Sequence, residues 1–313
     1  MKQKNKIIVI LISFLALHCL FMLLFSTLSG KYNELVVRLN NYKSINHKIN
    51  VLFLGDSHVE RSIDPSKIKD SYSLAYYGEN NVMCYYRLKY CIDNNLPKPN
   101  YIVMPCDIVT FSDGFNNFRT NKFFYYSLIP SGELKNFEKN KMEAYYNYGK
   151  VKLFPYSEWQ YGLNIYNANR SEKGKKMFSN ESTNEKIRNT SNFIQDEMNC
   201  RGHASNLFSE TALLYLDKTI KLCSENGIKL IFVKFPMTRE VFDEVEKNVD
   251  SGYLVNRPSE RIVEKNNLPI LNFEKLFEDR PELFFDCHHL NDNGKLVFMP
   301  QFKEKLDSLM TVY

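Results

Sequence analysis

The sequence predicts an α/β protein: a parallel sheet covered by helices on both faces, preceded by one transmembrane helix and interrupted by an aromatic-rich insertion. Three observations carry that prediction. Short apolar runs at 51–54, 101–104 and 228–235 alternate with segments of helical spacing, as strands buried on both faces do. Residues 7–30 contain no Asp, Glu, Lys or Arg. From about 112 to 205 the strand–helix alternation stops, and 114–166 holds fifteen aromatic residues.

Lys2, Lys4 and Lys6 precede the charge-free stretch. At ~1.5 Å per residue it would be about 36 Å long as a helix, enough for a hydrocarbon core of roughly 30 Å. A cleaved signal peptide usually has an apolar region of only ~7–15 residues, and no clear small-x-small site follows, so an uncleaved anchor is the better reading. Cys19, after Leu17-His18, makes a poor lipoprotein processing site. The three lysines place the N-terminus in the cytoplasm and the rest of the chain outside, as a single-pass cell-membrane protein. The net charge is +5, but Lys2, Lys4, Lys6 and Lys31 supply four of those charges, so the remainder is near neutral. A nucleic-acid footprint needs clustered Lys and Arg, and none is present. The organisation expected is a cytoplasmic tip and anchor at 1–30, a polar stalk at 31–48, and one domain at 49–313. Cys84, Cys91, Cys106, Cys200, Cys223 and Cys287 lack the dense spacing of a disulfide scaffold, and no C-x-x-C occurs.

Within the domain, the strand at 51–54 opens into Gly55-Asp56-Ser57-His58. Pro65 forbids a long helix before a second strand at 71–75. Gly78 follows in a turn, then a helix over 80–94 and a third strand at 101–104. The insertion reads either as a lid whose aromatic faces stack on sugar rings, with Trp159 the best contact, or as a small helical piece with its own core. Residues 167–192, rich in Asn, Ser, Lys and Glu, read as an exposed mobile loop. A helix over 207–226 with Gly227 as its cap leads into a strand at 228–235 that Pro236 stops. Arg239 then stands where it could meet a substrate carboxylate or phosphate, or simply begin a helix on the surface. A last short strand at 268–271 precedes a helix over 291–309 that Pro300 should bend or break.

The chemistry suggested is nucleophilic. Ser57 ends a buried strand at the carboxyl edge, where such sheets place their sites, and a serine hydroxyl needs a base. Asp286-x-x-His289 lets a carboxylate hold one imidazole nitrogen while the other faces the serine. His289 is favoured over His288, its neighbour, and over His58, whose adjacency to Ser57 suits it to shaping the pocket. Asp56 reads as a turn carboxylate bonding backbone N–H groups. Asp286, Cys287, His288 and His289 are all metal-ligand types, but four in a row cannot converge on one ion without strain, so no metal and no cofactor are expected.

Gly55-Asp56-Ser57 near the start and Asp286-x-x-His289-Leu290-Asn291-x-x-Gly294 before a terminal helix resemble the SGNH/GDSL hydrolase superfamily. The likeness is greatest to its membrane-anchored branch, similar to alginate O-acetylation and teichoic-acid D-alanine transfer proteins. The resemblance implies an SGNH-like (flavodoxin-like) three-layer domain and acyl transfer from ester to serine. It also implies an oxyanion site made by the N–H groups of Ser57 and Gly78 and an Asn side chain. The chain departs from the pattern at the third block: Met104-Pro105-Cys106-Asp107 stands where Gly-x-Asn-Asp would be, leaving Asn80 or Asn81 as substitutes. The substrate implied is an acyl ester or a cell-envelope or exported polysaccharide, and a transferase would draw on a polytopic membrane acyltransferase partner. A noncatalytic glycan-binding or assembly protein that keeps the fold is the alternative.

Overall fold

A computed structural model describes residues 3–115, 122–136, 141–158, 178–197, 208–248 and 257–313. In chain order the elements are α1 (Gln3–Tyr32), α2 (Glu34–Lys43), β1 (Val51–Phe53), α3 (Ser57–Ser62), β2 (Ser71–Ser73), α4 (Asn81–Asp93), β3 (Tyr101–Pro105), α5 (Lys122–Tyr126), α6 (Lys141–Leu153), α7 (Thr183–Asn192), α8 (Glu210–Glu225), β4 (Lys229–Lys234), α9 (Arg239–Asn248), α10 (Pro258–Lys265), β5 (Ile270–Asn272) and α11 (Asp292–Val312). The chain divides into two compact units, residues 1–44 with 121–172, and 45–120 with 173–313.

In the first unit, α1 is long and apolar enough to cross a membrane, a property that a signal sequence shares. The segment expected to be a polar stalk is in part the helix α2. Asn33 caps it by accepting from the N–H groups of Leu35 and Val36, and Leu35, Leu39 and Tyr42 are buried at i, i+4 and i+7. That spacing puts them on one face, so the helix has an apolar side to bury despite its Asn and Lys. The unit is completed by α5, a 3-10 turn at Ser131–Asn136, α6 and a second turn at Pro155–Glu158.

The second unit is built on a five-stranded, all-parallel sheet in the order β2-β1-β3-β4-β5, the flavodoxin-like order of doubly wound proteins. One face carries Val51, Phe53, Val103, Ile231 and Val233, and these pack with Val59 and Ile63 of α3 and with Phe298, Phe302 and Leu306 of α11. Leu52, Ile102, Leu230 and Phe232 on the alternate register are equally buried, with α4 and α8 packed together and α8 reaching β4. Burial on both faces explains why these strands read as continuous apolar runs. Pro300 lies inside α11 and does not end it. The helix tolerates the missing N–H because Phe298, Met299, Phe302 and Leu306 hold both sides of the proline in the core.

The stretch expected to be a mobile loop is, over its described part, ordered. Ser182 and Glu185 form a reciprocal capping box that starts α7, and Phe178 and Phe193 are buried at its two ends. Cys84, Cys91, Cys106, Cys223 and Cys287 are buried and are not joined in disulfides among the described residues.

Candidate active site

The parallel order places the carboxyl ends of β1, β3, β4 and β5 on one edge, and the chain reverses direction of growth between β1 and β3, where such sheets hold their ligands. Ser57 follows β1 at that point. The turn leading to it requires glycine: Gly55 has φ +140°, and a Cβ there would lie 2.6 Å from both Pro105 Cδ and Val59 Cγ2. Asp56 is the N-cap of α3, its carboxylate accepting from the His58 N–H at 2.9 Å. Ser57 is thus the first residue of a short helix and is almost fully buried.

The other half of the site comes from the far end of the chain. Asn291 caps α11 by accepting from the Gly294 N–H (2.9 Å), and its amide donates to the carbonyls of Glu282 (2.8 Å) and Phe284 (3.2 Å). Phe285 N–H donates to the His289 carbonyl at 2.8 Å, closing the loop. Gly294 lets α11 approach this loop, since a Cβ there would stand 2.1 Å from the Leu283 carbonyl oxygen. The Asn291-x-x-Gly294 spacing is therefore a cap plus a close approach, and together they aim the loop. Asp286 Oδ1 accepts from the N–H groups of His288 (3.1 Å) and His289 (2.8 Å), and Oδ2 lies 2.8 Å from His289 Nδ1. His289 Nε2 is 2.7 Å from Ser57 Oγ. With Nδ1–H donating to the carboxylate, Nε2 is left to accept the serine proton.

Burial pushes the Asp286 carboxyl up, but the neighbouring His289 and His288 outweigh it and hold the group well below the usual carboxylate range. Burial, reinforced by His289, pushes His288 well below the ordinary imidazole range. Its neutral ring stacks on Phe193 with centroids 3.8 Å apart. Phe193 is a site residue that the sequence reading missed, and its signal was the Ser182-x-x-Glu185 box that starts the helix it caps. Tyr77 was missed too; its ring lies 6.3 Å from that of His289, and Arg61 Nε donates to its hydroxyl at 2.8 Å.

His58 lies beside the pair, its ring 5.0 Å from that of His289 and 5.3 Å from that of His288. Burial disfavours its charge, yet Asp56, 3.2 Å from Nδ1, and then Asp107 overcome that and raise it to about 9. His58 is therefore an imidazolium at neutral pH, and the same pairing holds Asp56 below its ordinary range against the opposing effect of burial. A folded value above the free value of 6.5 means that this stabilisation is complete below pH 6.5 and is lost as pH rises through about 9. Over that window wild type should lose about 3 kcal/mol more stability than His58→Gln, measured by thermal unfolding of the full chain. Equal losses in both proteins would sink the assignment.

The third-block position behaves as a capping group. Asp107 Oδ1 accepts from the N–H and Oγ1 of Thr110, both at 2.9 Å, and burial raises its carboxyl despite the attraction of His58. Asn80 accepts from the Met83 N–H as the cap of α4, and Asn81 donates to the Thr110 carbonyl. Gly78, at φ +67°, sits in the loop after β2 beside Tyr77. Among the described residues, neither the Ser57 N–H nor the Gly78 N–H donates to a protein acceptor. Arg87 braces that loop from within, bonding the Leu74 carbonyl and the Glu79 carboxylate.

Arg239 does begin a helix on the surface, and its fork is taken by Asp279 at 2.7 and 2.8 Å, so no substrate anion is needed to pair it. Trp159 lies outside the described residues. His58, His288 and His289 bring ligand-type atoms within 4.8 Å of one another, a different group from the run at 286–289. Both ring nitrogens of His289 are already engaged, Nδ1 with Asp286 and Nε2 with Ser57.

No protein-family model and no curated protein matches the chain. Among solved structures it is similar to a GDSL-like lipase from Bacteroides thetaiotaomicron, at 11% identity and a TM-score of 0.43 over 90% of this chain and 99% of that one. It is also similar to a Bacteroides fragilis protein named as an acylhydrolase, at 11% identity and a TM-score of 0.44 over 88% and 96%.

Proposed function

We propose that the chain is an SGNH-type serine esterase or O-acyltransferase, anchored in the cell membrane by α1 and acting outside the cytoplasm on a cell-envelope or exported polysaccharide. The observation that carries the acyl-transfer reading is the continuous series Ser57 Oγ, His289 Nε2, His289 Nδ1, Asp286 Oδ2, at 2.7 and 2.8 Å across its two hydrogen bonds. His289 takes the Ser57 proton as Oγ attacks the ester carbonyl carbon, and Asp286 holds the imidazolium that forms. The N–H groups of Ser57 and Gly78 receive the oxyanion. The tetrahedral intermediate then collapses: the carbon–oxygen bond to the alcohol breaks and His289 returns the proton to that leaving oxygen. Water or a sugar hydroxyl, deprotonated by the same His289, attacks the acyl-serine and frees Ser57. The choice between hydrolysis and transfer lies in what occupies the acceptor site. A transferase of this kind would take its acyl group from a polytopic membrane acyltransferase.

The test uses the full chain in detergent with a serine-directed phosphonate and a chromogenic acetyl ester. Phosphonate mass found on Ser57, with ester turnover, supports the reading. Folded protein that neither labels nor turns over but binds an envelope glycan would overturn it in favour of a noncatalytic glycan-binding protein.

A further inference from the structure

The aromatic insertion carries an exposed apolar helix face. On α6, Met142, Tyr145, Tyr146, Gly149 and Leu153 fall within an arc of about 100° at 3.6 residues per turn. The four side chains on that arc are exposed, Met142 at 79%, Tyr146 at 68% and Leu153 at 61%, whereas Ala144 on the opposite face is fully buried. A Cβ added at Gly149 would meet nothing within 4 Å, so the face is open along its length. Phe154, next in sequence, is also exposed.

α6 belongs to the same compact unit as α1. The turn after α6 packs directly on α1: Tyr156 Oη is 2.9 Å from His18 Nδ1, the Tyr156 ring is 5.3 Å from that of Phe21, and the Phe154 ring is 5.2 Å from that of His18. Those α1 side chains sit among others that are exposed and apolar. His18 stands eleven residues beyond Ile7, about 16 Å along the helix, near the middle of a hydrocarbon core of roughly 30 Å. A polar side chain at that depth needs a hydrogen-bond partner from the protein, and Tyr156 supplies one. The thirteen residues of α6 measure about 20 Å, long enough to run from headgroup level to the depth of His18. Lys152 does not stand bare on the way, because its ammonium donates to the Ser127 carbonyl at 3.2 Å and lies 5.6 Å from the centre of the Tyr148 ring.

We propose that α6 and the turn that follows it form a membrane-embedded element, with the Met142, Tyr145, Tyr146, Gly149 and Leu153 face against the acyl chains of the phospholipid bilayer that holds α1. The proposal rests on the anchor half of the functional reading and is independent of the chemistry at Ser57. Tyrosines suit this place because an apolar ring and a polar tip match the boundary between tails and headgroups.

Trp159 is the single tryptophan of the chain, which allows a direct test. In a Trp159→Phe background, the full chain carrying Tyr146→Trp is placed in phosphatidylcholine–phosphatidylglycerol vesicles with dibrominated phosphatidylcholine as quencher. Leu15→Trp in α1 is the lipid reference, and Leu296→Trp, exposed on α11, is the aqueous reference. The expected result is at least a twofold loss of emission for Tyr146→Trp, close to that of Leu15→Trp. Gly149→Trp, which enters open space, should behave the same and guards against a disturbed fold. Quenching of Leu15→Trp with Tyr146→Trp and Gly149→Trp no more affected than Leu296→Trp would overturn the proposal while leaving the anchor intact. An indole shielded from both brominated lipid and aqueous acrylamide would mean that protein, such as a second copy of the chain, covers the face, and would overturn it too. No quenching of Leu15→Trp would remove the anchor and the proposal together, whatever the esterase assay shows.

Discussion

Ser57→Ala is expected to lower kcat for an acetyl ester by roughly 10⁶-fold, and His289→Ala by a similar factor. That corresponds to about 8 kcal/mol of transition-state stabilisation. The double variant should be no worse than either single one, because a serine without its base and a base without its serine are equally idle. The geometry behind this is the 2.7 Å separation of Ser57 Oγ and His289 Nε2, which leaves no room for a water as intermediary. Asp286→Asn should cost less, roughly 10⁴-fold, by presenting an N–H where His289 Nδ1–H needs an acceptor and so favouring the wrong tautomer. Steady-state kinetics with phosphonate labelling of each variant checks the set, with unchanged thermal unfolding as the folding control. Additive losses in the double variant, or Ser57→Ala with more than about a tenth of wild-type activity, would show that another group is the nucleophile.

Gly55→Ala should produce a large loss of stability for the smallest change in side chain. Its φ of +140° is costly for any L-residue, and the new methyl carbon would overlap Pro105 Cδ and Val59 Cγ2 at 2.6 Å. Backbone strain and overpacking each cost about 1–3 kcal/mol, so a loss of about 4 kcal/mol is expected. For a unit of this size the melting temperature should fall by roughly 10 °C. Activity should fall with it, since the displaced turn carries Ser57. Gly149→Ala, in open space on a helix, is the control and should be neutral or slightly stabilising. A Gly55→Ala melting temperature within about 2 °C of wild type would show that the turn can relax, against the close packing assigned to β1 and β3.

How far the site was legible follows from how far apart its parts lie along the chain. The turn at Gly55-Asp56-Ser57, the spacing Asp286-x-x-His289 and the terminal Asn291-x-x-Gly294 are local patterns, each satisfied by hydrogen bonds within three residues or by one close approach. The capping box at Ser182 and Glu185 was equally local, yet the polar composition around it pointed to a loop. The buried face of α2 was hidden among asparagines and lysines in the same way.

By itself, then, the sequence determined the strands, the glycine turn, the charge-free first helix and the residue types able to carry acyl transfer, because helix and strand periods, caps and turn conformations are short-range steric and hydrogen-bonding effects. Only the tertiary structure decided which imidazole meets the serine, 232 positions away in the chain. It alone put a charge on His58 between Asp56 and Asp107, turned Asp107 onto Thr110, paired Arg239 with Asp279, and joined the aromatic insertion to α1. Those outcomes depend on burial and on distances of a few ångströms between groups far apart in the chain, and no spacing along a sequence encodes either.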